Sequence, residues 1–255
     1  MPNKAFSTLV TRVQPNVPQC PYPVIVNHIR DAAIKACERS LAWRYEVPRF
    51  RLLPGVHEYA FNVPTNAEVH AVFAFTVNDT PLVPLNLDTA IAVHPEWANL
   101  YSGEDAEEVW SETPGGYLGA PTYNEGVFND GSDFVLPESI VTEGSAPEIY
   151  TVVSPQRYIV LPLPDGGTYM ARQFLGLKPL RTATDMDEQA MNELEDAIFH
   201  KTCEDLMFLP KTPWYNPDLA IVHGRKYASQ SLERRARGNL GHVRGSLGAR
   251  NRPWV

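Results

Sequence analysis

The spacing of apolar residues changes along the chain, and each change predicts a different element. Residues 1–20 show no clear period and carry Pro15 and Pro18, which predicts an extended N-terminal arm. Beyond Pro21-Tyr22-Pro23, where proline suits a first helical turn, Ile25, Ile29, Ala32, Ala33, Ala36, Cys37 and Leu41 fall on one helical stripe. This first helix, assigned within residues 21–47, is expected to run to about Arg44 and to end before Pro48. From Arg51 the period becomes two, and residues 59–63 and 69–77 read as strands. Asn78-Asp79-Thr80-Pro81 predicts a turn into a short run over 82–87. Residues 102–147 lose the pattern and predict a long loop excursion; loops of such length are usually functional or disordered. Strands resume at 149–153 and 158–163, Pro164-Asp165-Gly166-Gly167 predicts a hairpin turn, and 168–177 run back. Thr184-Asp185-Met186-Asp187 starts a second helix, with Leu194, Ile198, Thr202, Leu206 and Leu209 on its stripe. Asn216-Pro217 starts a third, through Leu219, Val222, Tyr227 and Leu232 to about Arg237. Gly238, Gly241, Gly245, Gly248 and Pro253 leave residues 238–255 as an extended arm.

The order helix, strands, helix, helix predicts an α+β fold. One N-terminal helix and two C-terminal helices (residues 181–237) would form a bundle, with an antiparallel β-sandwich or barrel inserted over 48–180 and an extended basic C-terminal arm. The 23 prolines agree, since they argue against a mostly helical chain. No apolar run approaches the roughly 18 residues of a membrane span, so no membrane partner is expected. Met1-Pro2-Asn3-Lys4 opens no secretory signal pattern. Three widely spaced cysteines, an odd number, point away from a disulfide framework and from a zinc ribbon, and towards synthesis in a reducing cytoplasm.

Charge changes the picture more. The net charge of −8 conceals strong segregation. Residues 52–156 hold no lysine or arginine and 16 acidic groups. Residues 225–255 hold eight basic groups and one acid. A stretch without cations cannot grip a phosphate backbone, whose binding relies on Lys and Arg.

Candidate chemistry is sparse. The chain has no phosphate loop, no dinucleotide-binding glycine pattern, no nucleophile elbow and no His-Glu-x-x-His, so neither an enzyme nor a cofactor is expected. His200 and Cys203 have metal-ligand spacing on a predicted helix, but two ligands make a poor zinc site and helix-face packing explains them as well. The seven histidines, at 28, 57, 70, 94, 200, 223 and 242, show no clustering in the sequence. Glu104, Asp105, Glu107 and Glu108 could pair as glycosidase carboxylates, yet a polar loop does nothing to raise a carboxyl pKa. Asp130-Gly131-Ser132-Asp133 is only a fragment of a calcium loop. Trp254 beside Arg252, with arginines at 234, 235, 237, 244 and 250, suits an arm laid along an acidic groove, because tryptophan and arginine concentrate binding energy.

Six segments carry a resemblance. Ala36-Cys37-Glu38-Arg39-Ser40-Leu41-Ala42-Trp43-Arg44 precedes Leu53-Pro54-Gly55-Val56-His57-Glu58-Tyr59. Tyr158-Ile159-Val160-Leu161-Pro162-Leu163-Pro164 and Leu177-Lys178-Pro179-Leu180 come before Asn192-Glu193-Leu194-Glu195-Asp196-Ala197-Ile198, and Pro213-Trp214-Tyr215-Asn216-Pro217-Asp218-Leu219-Ala220 follows. In order and spacing, outside residues 100–147, the chain resembles the tail tubular protein A-like head-to-tail adaptors (neck or gatekeeper proteins) of tailed bacteriophages. The resemblance implies a structural virion protein, made in the bacterial host cytoplasm and located in the neck between head and tail. It implies a twelvefold ring of copies beneath the portal protein, joined below to a tail nozzle or tail terminator protein, with DNA passing through unbound. The portal-binding role would fall on Arg234, Arg235, Arg237, Arg244, Arg250, Arg252 and Trp254. Glu104, Asp105, Glu107, Glu108 and Glu112 would face the tail or the channel. Two other readings stay open. One is a glycan-binding or glycan-cleaving virion protein using Trp97, Tyr101, Trp110, Tyr117 and Tyr123; the other is a nucleic-acid-binding protein acting through the basic tail.

Overall fold

The computed structural model describes residues 2–56, 58–86, 88–89, 146–162 and 164–239. The expected excursion over 102–147, with its acidic cluster and aromatic residues, lies outside them, as does the basic arm beyond residue 239. The fold is α+β, in two compact units. Unit 1 comprises Met1–Arg44, Thr65–Ala67 and Gly176–Val255; unit 2 comprises Tyr45–Pro64 and Glu68–Leu175. Among the described residues, no helix is long and apolar enough to cross a membrane.

Unit 1 begins with β1 (Asn3–Ala5), paired antiparallel with β10 (Asp185–Asp187). A 3-10 turn (Phe6–Leu9), the single turn α1 (Val10–Val13) and a second 3-10 turn (Gln14–Asn16) follow. Residues 1–20 are therefore not the extended arm expected. Phe6, Leu9, Val10, Val13 and Val17 recur at helical intervals and are buried, a period masked in the sequence by Pro15 and Pro18. Arg12 fastens this segment: its guanidinium donates to Glu195 (3.2 Å) and to Asp196, and lies 4.5 Å over the Phe199 ring.

α2 (Tyr22–Ser40) buries Ile25, Ile29, Ala32, Ala33, Ala36 and Cys37, the stripe read from the sequence. It ends earlier than expected. Leu41 adopts a left-handed conformation (φ 54°) and its N–H donates to the Cys37 carbonyl at 2.9 Å, because the chain from Arg44 onward is already strand. α3 (Glu188–Met207) is capped by Asp187, whose side chain accepts from the Ala190 N–H at 3.1 Å; Leu194, Ile198, Thr202 and Leu206 are buried. α4 (Pro217–Asn239) starts with the Asn216 side chain accepting from the Leu219 N–H at 3.1 Å and proline in the first turn. The three long helices pack against one another, and the Tyr227 hydroxyl donates to the Lys35 carbonyl of α2 at 3.1 Å.

Unit 2 contains two four-stranded sheets. The first has the order β2 (Arg44–Leu52), β9 (Tyr169–Pro179), β4 (Ala67–Val77), β5 (Thr80–Pro81), the ends of these strands running into unit 1. The second has the order β3 (Glu58–Ala60), β8 (Arg157–Leu161), β7 (Ile149–Ser154), β6 (Val83–Leu85). Asn78 and Asp79, at φ 49° and 63°, make the two-residue β4–β5 hairpin turn. Phe75 of the first sheet touches Tyr150 and Tyr158 of the second at ring distances of 5.2 Å, and Tyr158 also meets Tyr59 and Phe61. The Tyr59 hydroxyl accepts from the Leu53 N–H at 3.0 Å and donates to the Val56 carbonyl at 2.9 Å, so one ring joins the strand to the preceding loop.

Two expectations are corrected here. The Pro164–Gly167 segment is not a hairpin turn: β8 and β9 belong to different sheets. Its Asp165 accepts from the Gly167 N–H and the Tyr169 hydroxyl, both at 2.7 Å, a local turn that redirects the chain between sheets. The strands are not all antiparallel either, since β6 pairs parallel with β7. More than sixty residues of chain separate β6 from β7, ample for the return that parallel pairing needs.

Candidate docking surface and a histidine contact on α4

Charge divides between the two units. Unit 2 carries four Arg and 18 acidic residues, a net −14; unit 1 carries 18 basic and 12 acidic, a net +6. The β unit is nonetheless not cation-free, as the uninterrupted stretch 52–156 suggested. β2, β8 and β9 bring in Arg49, Arg157 and Arg172 from its flanks. Each meets a carboxylate: Asp79 at 3.3 Å, Glu58 at 2.8 Å and Glu46 at 2.7 Å. Arg172 also lies 4.7 Å over the Phe174 ring. Folding pairs these guanidinium groups within the unit.

On α4 the structure departs from the expected stripe of Leu219, Val222, Tyr227 and Leu232. Only Tyr227 is buried; Leu219 is 37% exposed, Val222 44% and Leu232 56%, with Ile221 at 46%. The face turned inward is Ala220, His223, Tyr227 and Ser231. Gly224 of α4 faces Glu204 of α3, whose carboxylate would have to shift to admit a Cβ there. Apolarity alone did not set the helix rotation. α4 thus offers solvent an apolar row beside exposed Arg225 and Lys226. Towards its C-terminus Arg234 is half-buried and Arg235 exposed, where the helix dipole favours cations. The Arg237 side chain and the whole of Arg244, Arg250, Arg252 and Trp254 lie outside the described residues. So do Glu104, Asp105, Glu107, Glu108 and Glu112, and Trp97, Tyr101, Trp110, Tyr117 and Tyr123.

The inward face holds a contact that the sequence concealed. His200 of α3 and His223 of α4 approach Nδ1 to Nδ1 at 2.8 Å, both buried. Phe199 touches both rings, at 5.0 and 5.7 Å between centroids. Burial first, then His223, Lys226 and Arg12, push His200 down to about 4, against the pull of Asp196. Burial and Lys226 lower His223 as well, with Glu204 opposing. Cys203, the other residue of the spacing noted in the sequence, is fully buried, and burial raises its thiol to about 12. Among the described residues no three His, Cys, Asp or Glu side chains gather as a metal site. Only fold-level packing brings 200 and 223 together; His200 lies off the Leu194–Leu206 stripe, so the sequence carries no sign of the contact.

No protein-family model matches the sequence, and no curated protein matches it.

Proposed function

We propose that this chain is a structural head-to-tail adaptor of a tailed bacteriophage, as the resemblance implies, with no catalytic role. The observation that carries the reading is the division of charge, −14 in the β unit and +6 in the helical unit. An acidic unit in which three of its four arginines already meet carboxylates repels a polyanion and lets DNA slide past. In this reading the three helices form a bundle, the two sheets an inserted β-sandwich, and the residues beyond Asn239, where α4 ends, an extended arm. The arm and the end of α4, with Arg234, Arg235, Arg237, Arg244, Arg250, Arg252 and Trp254, dock on an acidic face of the portal, where charge complementarity guides encounter. The exposed Leu219, Ile221, Val222 and Leu232 supply apolar area for a head-to-tail contact with the next copy in a ring. Glu104, Asp105, Glu107, Glu108 and Glu112 add to the channel or tail face, and a nozzle or terminator protein binds below.

Electron microscopy of the full chain mixed with its cognate portal tests this. Full-length protein should add a ring beneath the portal, and the chain lacking residues 238–255 should stay folded and add none. Complete necks built by the shortened chain would overturn the arm as anchor. The exposed Arg225, Lys226 and Arg235 favour one competing reading, a nucleic-acid binder. Tight DNA binding that weakens steeply with salt and vanishes with the arm would select it instead.

A further inference from the structure

The His200–His223 contact is unlike the other polar contacts of the helical unit. It joins two groups of the same kind, across two helices, with no carboxylate between them. At 2.8 Å one Nδ1–H must donate to the bare Nδ1 of the other ring, so the two imidazoles hold opposite tautomers. One added proton can still be accommodated at an outer Nε2. A second cannot, because both Nδ1 atoms would then carry hydrogens aimed at each other.

The surroundings give no relief. From α1, Arg12 brings a positive charge; from α4, Lys226 brings another. α3 supplies Asp196 and Glu204, but Asp196 is taken by Arg12 and Glu204 by Lys201 at 2.8 Å. Lys35 of α2 is taken up by Asp205, further along α3. The rings also have little room to turn apart. Phe199 packs against both, with its ring centroid 5.0 and 5.7 Å from theirs. α4 is the helix that gives way. Its inward face is Ala220, His223, Tyr227 and Ser231, and its larger aliphatic side chains point to solvent, so little apolar burial holds it.

We propose that the His200–His223 contact is an acid-sensitive latch, which holds α4 on the helical unit near neutral pH and releases it when both imidazoles are protonated. The direction follows from proton binding. In the released state both histidines return towards the ordinary value of about 6.5. In the closed state both are lower. The released state therefore binds more protons below that value, and acidification favours it. Below that value the released state binds up to two protons more than the closed pair, so the opening equilibrium rises by up to about a hundredfold per pH unit, and by about tenfold per unit once the closed pair has taken up its one proton.

Hydrogen exchange of the full-length chain between pH 7.5 and 4.5, corrected for the intrinsic pH dependence of exchange, tests the latch. Amides of α4 should lose protection by about ten- to a hundredfold per pH unit well below 6.5 while those of α2 keep theirs. The double substitution His200→Gln with His223→Gln should flatten that slope. Unchanged α4 protection down to pH 4.5, an equal slope in the double variant, or simultaneous loss from α2, α3 and α4 would each overturn the proposal. Should the double variant not fold, nitrogen spectra of the histidines in the unaltered chain decide. Opposite tautomers that are lost together with α4 protection support the latch; two rings titrating separately near 6.5 while α4 stays protected refute it.

Discussion

Gln173 offers a prediction whose sign runs against habit. It sits on β9 in the β unit, 1% exposed, and neither its Oε1 nor its Nε2 finds a hydrogen-bond partner. The Tyr158 hydroxyl is within reach of its amide, but the geometry of a bond is not met. Thr151 of β7, also 1% exposed, has an unpartnered Oγ1. A buried polar group without a partner costs about 1–3 kcal/mol. Gln173→Met keeps length and volume and removes the amide; such swaps cost under about 1.5 kcal/mol in packing. The net expectation is stabilisation of about 1 kcal/mol, with about 1 kcal/mol more from Thr151→Val, since its hydroxyl is equally unrewarded. Urea unfolding followed by circular dichroism would show a higher midpoint at unchanged slope. A loss of more than about 1 kcal/mol in Gln173→Met, or strong coupling between the two substitutions, would refute the reasoning. It would mean that the two polar groups share a partner in solution.

Three further outcomes are expected. Asp79→Gly, at φ 63° in the β4–β5 turn, should raise the midpoint of unfolding by about 0.5–1 kcal/mol equivalent, because the exposed Arg49 pair it gives up is worth little. Asp187→Ala removes the cap on the Ala190 N–H and should cost about 1 kcal/mol in thermal unfolding, most of it restored by Asp187→Asn. The thiols of Cys37 and Cys203 are fully buried and burial raises both, Cys203 to about 12, so less thiolate forms. At pH 8 a thiol reagent should modify these two at least ~1000-fold more slowly in the native protein than in guanidinium, as the thiolate fraction dictates.

Much of the fold was legible because local pattern and packing agree. The α2 stripe from Ile25 to Cys37 and the α3 stripe from Leu194 to Leu206 are buried where periodicity placed them. Asn78-Asp79 marked its hairpin because both residues tolerate left-handed backbone. What was illegible depends on partners remote in sequence. Pro164–Gly167 has hairpin chemistry, but whether the following strand pairs with the preceding one is decided by sheet membership. Pro15 and Pro18 hid the helical spacing of Phe6, Val10, Val13 and Val17. On α4, apolarity suggested Leu219 and Val222 as core, whereas Ala220, His223, Tyr227 and Ser231 form the buried face. The same rotation brought His223 to His200, 23 residues away, which no local rule anticipates.

The boundary between the two units is crossed four times, at 44/45, 64/65, 67/68 and 175/176. The short visit of Thr65–Ala67 is a stitch: the Asn66 carbonyl accepts from the Leu180 N–H at 2.9 Å, and its side chain donates to Asp185 at 3.3 Å. A seam sewn in this way cannot be unpicked by one excision. Joining residue 44 directly to 176 would discard the stitch along with the β unit, leaving the Leu180 N–H and one oxygen of Asp185 without these partners. Any shuffling event that swapped in a foreign insert would have to carry a replacement for that tripeptide.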